Sequence, residues 1–234
     1  MNELDTFQSK DFSSDYRLRA LYSMIPRGGV VLDVGSGNGM IANILQGQYR
    51  KFILTDNSET LINQLRLKFH DRSDVEIHCE DAQHLNPHGA VDVITACDIL
   101  EHISHDAKSV RSLAGALSPG GRLFISVPAH PFLYGLRDEK YGHIRRYKKK
   151  NLRELLTVAG LEIESIRHWN AIGVIPYLIS EKIARRPLVA PARDKNSNMF
   201  AKIANQILFS VLYLETFLPF PFGLSLIAIC RKKQ

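Results

Sequence analysis

The chain has 234 residues, enough for one α/β domain with an insertion but short for two full domains. Hydrophobic residues make up 45% of it and charged residues 23%, which excludes a largely disordered or collagen-like chain. Its three cysteines show no CxxC spacing, which argues against a disulfide framework and against a cysteine zinc site. We therefore expect a single hydrophobic core that is stabilised neither by disulfide bonds nor by a cysteine-bound zinc ion.

The sequence shows neither of two features that direct a chain into a membrane. Its first 15 residues are polar and partly acidic, unlike a signal peptide. It also has no run of 18 or more apolar residues, the length that a spanning helix needs. A cytoplasmic protein is therefore expected, with any membrane contact peripheral.

The net charge is +6, and the segment 145–150 places five basic residues in six positions. Three interpretations remain open for it: a solvated helix start, a nucleic-acid patch, or a patch for anionic lipid or phosphate. No recognised nucleic-acid module or aromatic-interleaved basic stretch accompanies the cluster, so no nucleic-acid partner is expected.

Short apolar runs alternate with helical patterns along the chain. After polar helices in the first 25 residues, strands are predicted at 30–34, 52–56, 75–79, 91–97, 122–127, 161–167 and 226–229. Helices are predicted at 40–45, 60–69, 107–117, 151–159 and 199–218. This alternation predicts a doubly wound parallel sheet with helices on both faces. One domain is expected, with a core at about 26–170 and 224–234 and a helical insert at about 171–223.

The strongest local signal is the glycine-rich turn in VVLDVGSGNG, between the first strand and the following helix. Its glycines permit positive φ angles and let a ligand lie against bare backbone. The spacing is G-x-G-x-G, whereas a dinucleotide fingerprint would need a glycine at Met40. Asp33 lies just ahead of the turn, and a carboxylate there suits a ligand with a positively charged end better than a pyrophosphate.

Acidic residues also stand at the ends of the next three strands. Asp56 ends the second strand and can accept hydrogen bonds from two ribose hydroxyls. Asp81 follows the third strand, where it can accept from an adenine amino group, and Asp98 follows the fourth. Because ligands bind at the carboxyl ends of parallel strands, these acids predict a nucleoside-containing ligand.

These segments resemble the class I S-adenosylmethionine-dependent methyltransferases over about residues 30–127, through VLDVGSGNG, LTDNS, CEDAQHL, VDVITACDILEHI and LSPGGRLFISVP. The resemblance implies a Rossmann-like, seven-stranded, mostly parallel sheet whose last strand is antiparallel, and S-adenosylmethionine as the cofactor. The implied cofactor-binding residues are Asp33, Gly35, Ser36, Gly37, Asn38, Gly39, Asp56, Asn57, Asp81, Ala82 and Asp98.

The resemblance also assigns roles within this set. The glycines would lie beneath the amino-acid portion of the cofactor and Asp56 on its ribose. Asp81 and Ala82 would lie near the adenine, and Asp98 near the methionine end.

Three histidines are the candidate catalytic residues. Methyl transfer from a sulfonium is an in-line displacement, so the enzyme positions the acceptor and often supplies a base. His102 follows the fourth strand, while His130 and His143 follow the fifth. His143 is our first choice for the base.

The stretch 129–147 is similar to a GHxRRY-type loop of bacterial methyltransferases whose substrates are unassigned. Tyr134, Arg145 and Arg146 are its candidate substrate-binding residues, and the two arginines would clamp a carboxylate or phosphate. The alternative is a purely structural loop held by contacts between histidine and aspartate.

The run from Asp98 to His102 is similar to quinone-biosynthesis O-methyltransferases, in which an acidic-x-x-Glu-His run can hold a divalent ion beside a catechol. Leu-Glu-His also occurs in metal-free relatives, where the Glu and His stabilise a helix start. We predict no metal here.

The insert carries Phe209, Tyr213 and Phe217 at a spacing of four on the predicted helix, with Arg185 and Arg186 upstream. It is interpreted either as a lid over the pocket or as a peripheral membrane contact that grips a lipid-linked acceptor.

Together these observations predict a methyltransferase for a small-molecule or lipid-linked acceptor, with oxygen favoured as the methylated atom. A nicotinamide-dependent oxidoreductase and a non-catalytic S-adenosylmethionine-binding protein are the alternatives. The acceptor and the oligomeric state do not follow from the sequence.

Overall fold

The computed structural model describes residues 16–183, 199–218 and 220–234, and within them it contains one seven-stranded sheet. The strands are β1 (Val30–Val34), β2 (Lys51–Asp56), β3 (Val75–Cys79), β4 (Val93–Cys97), β5 (Arg122–Pro128), β6 (Leu161–Trp169) and β7 (Ser225–Lys232). The helices are α1 (Tyr16–Tyr22), α2 (Met40–Ile44), α3 (Glu59–Lys68), α4 (Asp106–Ala116), α5 (Leu136–Lys140), α6 (Lys149–Val158), α7 (Val174–Leu178) and α8 (Met199–Leu214).

The sheet has the strand order β3-β2-β1-β4-β5-β7-β6. Strands β1 to β5 pair in parallel, and β7 runs antiparallel between β5 and β6. This arrangement confirms the predicted Rossmann-like fold with an antiparallel last strand. The order reverses between β1 and β4, and ligands of such sheets bind in the crevice at this switch point. The loops after these two strands are therefore placed to form a site.

The core lies on both faces of the sheet, which explains why β1 is apolar at nearly every position. Leu32 packs with Ile94 and Ile125 in one cluster of buried residues. Val31 packs with Phe52 in the cluster on the other face. A parallel strand covered on both sides needs an apolar side chain at successive positions, so the alternation typical of half-exposed strands is missing.

Most predicted elements have the expected positions. The strand predicted at 75–79 has those bounds, whereas β4 begins at Val93 and β7 extends to Lys232. The helix predicted over 199–218 ends at Leu214, because the backbone then tightens to i→i−3 hydrogen bonds, the first from the Thr216 amide to the Tyr213 carbonyl at 3.0 Å. The segment predicted as a loop at 129–147 contains α5.

The predicted insert contains α7, a π-helical turn at Ile179–Ile183 and α8. Leu212 of α8 is buried with Leu21 of α1 in the core. Arg185 and Arg186 lie outside the described residues. Among the helices described, none combines the length and apolar character needed to cross a membrane.

Candidate active site at the carboxyl ends of the strands

The glycine loop leaves bare backbone open at its centre. Gly35, Gly37 and Gly39 all have positive φ, at 71°, 53° and 70°. A Cβ on Gly35 would collide with Ile99, and one on Gly39 would lie 2.5 Å from the Phe69 ring, whereas a Cβ on Gly37 would meet nothing within 4 Å. The outer glycines therefore allow close packing, and the middle one leaves space where a ligand can approach the backbone.

Asp56 connects this loop to the end of β2. One carboxylate oxygen accepts a hydrogen bond from the Gly37 amide at 3.0 Å, and the other accepts from the Ser58 amide at 3.0 Å. Ser36 also binds the Thr55 carbonyl through its amide at 2.9 Å. The loop and the predicted ribose-binding acid thus form one hydrogen-bonded unit.

Asp33 is buried beneath the loop, and the Thr95 hydroxyl donates a hydrogen bond to its carboxylate at 2.6 Å. Burial raises the pKa of Asp33 to about 7, although the hydrogen bond from Thr95 opposes the rise. A positively charged ligand end would compensate the burial of the ionised carboxylate. This environment agrees with the cation-bearing ligand expected from the sequence.

The remaining predicted cofactor residues lie in the loops that follow β1 to β4. Asp98 has a φ of 54° and accepts a hydrogen bond from the Ser126 hydroxyl at 3.0 Å. Asp81 is exposed and accepts from the Gln83 amide at 2.8 Å, next to the buried Ala82. The other two are Asn38, after Gly37, and Asn57, after Asp56. The sheet brings these loops to one edge, and the individual roles stay predictions.

His143 is paired with a buried carboxylate. Its Nδ1 lies 2.8 Å from one carboxylate oxygen of Asp138. The Nε–H group of Arg146 donates to both oxygens of the same carboxylate, at 2.8 and 2.9 Å. Burial opposes ionisation of Asp138, but the hydrogen bonds from His143 and Arg146 outweigh it and lower its pKa to about 2. Because the carboxylate is ionised at neutral pH, it holds the proton of the neutral imidazole on Nδ1 and leaves Nε2 as the basic nitrogen.

Glu101 and His102 lie beside this histidine. The His102 and His143 rings meet edge to face with centroids 4.8 Å apart, and Nε2 of His143 is 3.9 Å from a Glu101 oxygen. Glu101 is fully buried, and within the described part of the chain neither of its carboxylate oxygens has a hydrogen-bond partner. Burial and the nearby charge of Asp98 raise the pKa of Glu101 well above its usual range. Burial therefore favours the neutral form of the Glu101 carboxyl.

The three side chains also form a set of donors that fits a divalent cation. One ligand atom from each of Glu101, His102 and His143 lies within 4.8 Å of the others. The unpartnered oxygens of Glu101 and the imidazole nitrogens are donors that such ions accept in proteins. The expectation that no metal binds here stays a prediction.

His130 has different neighbours from the other two candidate histidines. Its φ is 61°, and its ring stacks on Phe222 at 3.9 Å and on His168 at 4.8 Å between centroids. Burial lowers the pKa of His130, with a further contribution from the charge of Arg146. The structure thus places His130 in an aromatic stack, and its catalytic role stays a prediction.

The predicted substrate-binding residues make contacts within the protein. Tyr134 donates its hydroxyl to the His143 carbonyl at 2.7 Å, which positions the backbone of the candidate base. Arg145 donates to Asp106 at 2.8 Å. Arg146 is buried, and besides Asp138 it donates to the Tyr177 hydroxyl at 2.6 Å. These contacts give Arg146 a positioning role, while a substrate clamp by the two arginines stays a prediction.

Sequence reasoning did not select Asp138 or Tyr177 as functional residues. The spacing of five residues between Asp138 and His143 was a usable signal, because α5 turns the chain between them. Nothing in the sequence marked Tyr177, whose hydroxyl lies 3.2 Å from Asp138 across 39 positions of the chain.

Comparison with known proteins agrees with this geometry. A sequence model of the family described as "Methyltransferase domain" matches residues 8–166. The chain belongs to this family. The family match confirms the predicted class I methyltransferase and favours it over the nicotinamide-dependent oxidoreductase.

Individual relatives match this methyltransferase over only part of its length. It is 30% identical over 136 residues to a Mycolicibacterium smegmatis protein named "probable S-adenosylmethionine-dependent methyltransferase", covering 57% of the chain and 52% of the relative. It is also 30% identical over 168 residues to a ubiquinone biosynthesis O-methyltransferase of Thiobacillus denitrificans, covering 64% and 72%. The chain spans about half the length of the first of these relatives.

A solved structure shares the fold of the whole domain. This structure is the N-methyltransferase NodS of Bradyrhizobium japonicum in complex with S-adenosyl-L-homocysteine. The TM-score is 0.57 at 12% sequence identity, with 95% of this chain and 86% of that chain covered.

Proposed function

We propose that this methyltransferase transfers the methyl group of S-adenosylmethionine to a hydroxyl oxygen of a small or lipid-linked acceptor. The observation that carries the proposal is the pair formed by His143 and Asp138, because it presents a basic nitrogen beside the loop that follows β4. A hydroxyl oxygen loses a proton when it is methylated, so its transfer benefits from such a base.

In the proposed reaction the carbon–sulfur bond of the sulfonium breaks as the new carbon–oxygen bond forms. Nε2 of His143 takes the hydroxyl proton, and S-adenosylhomocysteine leaves. The imidazolium then returns the proton to water. Asp138 stabilises the imidazolium and keeps the ring oriented, as a carboxylate does in other acid–base pairs with histidine.

The glycine loop supports S-adenosylmethionine as the methyl donor. The open space beside Gly37 gives the cofactor access to the backbone, and the buried carboxyl of Asp33 suits its positive charge. The relative from M. smegmatis carries this cofactor in its name, and NodS was solved with the demethylated product of the cofactor.

A divalent cation held by Glu101, His102 and His143 would polarise an acceptor hydroxyl when bound. Nε2 of His143 cannot take a proton and ligate a cation at the same time. Binding a cation would also require the buried Glu101 to ionise, against its raised pKa. We therefore assign His143 the role of the base.

An apolar surface supports an acceptor with a lipid-like portion. Ile175 of α7 is 69% exposed and Phe217, just after α8, is 66% exposed. The two elements lie together, because Glu215 accepts hydrogen bonds from the amides of Ala171 and Ile172 at 2.8 and 3.1 Å. The exposed apolar side chains fit the membrane-contact interpretation of the insert better than a lid packed entirely on the core. The name of the T. denitrificans relative points to a quinone pathway, in agreement with such an acceptor.

The proposal is tested with methyl-labelled S-adenosylmethionine. The purified chain is incubated with a host extract separated into lipid, small polar, protein and nucleic-acid fractions, and the product is examined by mass spectrometry. We expect the label in the lipid or small polar fraction, on oxygen, and its loss in His143→Gln but not in Glu139→Gln. Label on nitrogen, in protein or in nucleic acid would contradict the proposed acceptor. Cofactor binding without any transfer would favour the non-catalytic alternative.

A further inference from the structure

A second cluster of nitrogen and oxygen donors lies at the edge of the sheet, on strand β3 and the loop that follows it, and none of its three residues has a role in the proposed methyl transfer. His78 belongs to the edge strand β3, Glu80 follows that strand directly, and His88 lies in the loop before β4. One ligand atom from each residue lies within 4.8 Å of the other two. The three side chains thus converge although the chain separates His88 from His78 by ten positions.

The backbone places two of these side chains on the same face. The Glu80 amide still donates to the Asp56 carbonyl at 2.9 Å, so the chain remains extended beyond β3. Residues two apart on an extended chain point to the same side, which aligns His78 with Glu80. His88 approaches from the loop, with Nε2 2.9 Å from a Glu80 oxygen and its ring centroid 4.8 Å from that of His78.

Two of the three side chains are buried, and the cluster is incompletely satisfied by hydrogen bonds. The side chains of Glu80 and His88 are each 5% exposed. Nε2 of His78 is buried and has no hydrogen-bond partner among the described residues, since the Glu76 carboxylate oxygen is 3.6 Å away. A buried nitrogen without a hydrogen bond costs free energy that a bound ligand would recover. The lone pair of a neutral imidazole accepts a metal ion at such a position.

We propose that His78, Glu80 and His88 bind a divalent transition-metal cation such as Zn²⁺. Two imidazole nitrogens and one carboxylate oxygen are a typical set of three protein ligands for zinc, with water in the remaining position. The same set disfavours Mg²⁺ and Ca²⁺, which take oxygen ligands. Asn86 donates to the second oxygen of Glu80 at 2.8 Å and so orients the carboxylate, as outer partners of metal ligands do.

The proposed site would join the two ends of one loop. Glu80 and His88 enclose residues 81–87, which carry Asp81 and Ala82. A cation bound to both ends restricts this loop in the folded protein. Backbone amides of the loop are therefore expected to exchange hydrogen more slowly when zinc is bound.

The test is a zinc titration of the full chain after chelator treatment, followed by calorimetry and by metal analysis of the dialysed protein. We expect wild type to bind Zn²⁺ at this site, and His78→Gln or His88→Gln to weaken that binding about tenfold or more. His70→Gln alters an exposed histidine paired with Asp71 and is the matched control, expected to bind like wild type. His102→Gln reports on the donor set at the candidate active site.

Two further measurements test the site independently of folding. Because His88 is buried, His88→Gln can affect folding, so His78→Gln, whose side chain is 39% exposed, gives an independent result. Hydrogen exchange of residues 81–87 is compared with and without zinc. Absence of zinc binding, binding that both variants retain, binding lost only in His102→Gln, or unchanged exchange in this loop would overturn the proposal.

Discussion

The imidazole of His143 and the carboxylate of Asp138 are joined by a hydrogen bond of 2.8 Å inside a network that fixes the carboxylate from three further sides. Arg146 binds both of its oxygens, the Gly135 amide donates to one of them at 3.0 Å, and the Tyr177 hydroxyl lies 3.2 Å away. A carboxylate with this many donors has little freedom to move. The orientation of the histidine ring is therefore determined before any acceptor binds.

Replacing Asp138 with Asn is expected to lower the rate of methyl transfer by about 100-fold or more, because the amide no longer selects the tautomer with a basic Nε2. The affinity for S-adenosylmethionine should remain within about twofold of wild type. Glu139→Gln removes the neighbouring carboxylate of α5 and is the matched control, expected to keep the normal rate. Single-turnover rates and calorimetric affinities check both variants.

Because Asp138→Asn also leaves the buried Arg146 without its counter-charge, its stability has to be measured alongside its rate. Loss of one member of a buried pair costs about 3–5 kcal/mol. A folded variant with a normal transfer rate would show that Asp138 only stabilises the fold.

His143→Ala is expected to lower turnover strongly while cofactor affinity stays nearly unchanged, because the side chain contacts Asp138 and lies beside Glu101 rather than in the glycine loop. His70→Ala is the control for removal of an exposed histidine. Turnover and cofactor affinity are measured under the same conditions. An unchanged turnover in His143→Ala would remove this residue from the candidate catalytic set.

The fold could be predicted from the sequence because the patterns that indicate its strands and turns are local. The strand at 75–79 and the glycine turn depend on a few consecutive residues, and a buried parallel strand is apolar whatever covers it. The surroundings of Arg146 depend instead on Asp138 and Tyr177, which reach it from two different helices. Its position in a basic run left a solvated helix start, a nucleic-acid patch and an anion patch open, whereas packing buries the side chain.

Only one side of the candidate site was predictable from the sequence. Acids at strand ends predicted a cofactor side, since the sheet brings the carboxyl ends of the parallel strands to one edge. The acceptor side is built from loops whose contacts, such as the stack of His130 on Phe222, depend on side-chain packing. Such contacts leave no periodic pattern in the sequence.

Asp56→Ala is expected to weaken S-adenosylmethionine binding by about 1–3 kcal/mol, because charge-assisted hydrogen bonds to the cofactor ribose are lost. The variant also frees the Gly37 amide, which adds to the loss. Asp71→Ala removes an exposed carboxylate near the end of α3 and is the control. Calorimetry measures both affinities, and an unchanged value for Asp56→Ala would contradict the placement of the ribose.

The affinity for S-adenosylmethionine is expected to rise as the pH rises through about 7, the pKa to which burial raises Asp33. Below this pH the free protein carries a neutral Asp33, and a cationic ligand binds the charged form better, so binding releases a proton. Asp33→Asn should bind about tenfold more weakly or worse and lose this part of the pH dependence. Calorimetry in two buffers of different ionisation enthalpy measures the proton release, and its absence in wild type would contradict the prediction.

The same shift predicts how stability without ligand depends on pH. The folded protein holds the proton of Asp33 up to about pH 7, whereas the unfolded chain loses it near the ordinary value of 3.8. Between these values the folded state binds more protons, so this residue makes the free energy of unfolding fall as pH rises. Denaturant unfolding across this range should show a shallower fall in Asp33→Asn, and an identical slope would indicate that the Asp33 pKa is not raised.

Replacing two glycines with similar backbone conformations distinguishes the cost of backbone strain from the loss of a cofactor contact. Gly37 and Gly47 both have positive φ, at 53° and 77°, and a Cβ at either would meet nothing within 4 Å. Replacement by Ala should therefore destabilise the fold by a similar amount, about 1–2 kcal/mol in each case. Only Gly37→Ala should also weaken S-adenosylmethionine binding, about tenfold or more, since its methyl group enters the space proposed for the cofactor. Thermal unfolding and calorimetric titration of the two variants measure these effects, and equal cofactor affinities would show that the cofactor does not approach the backbone at Gly37.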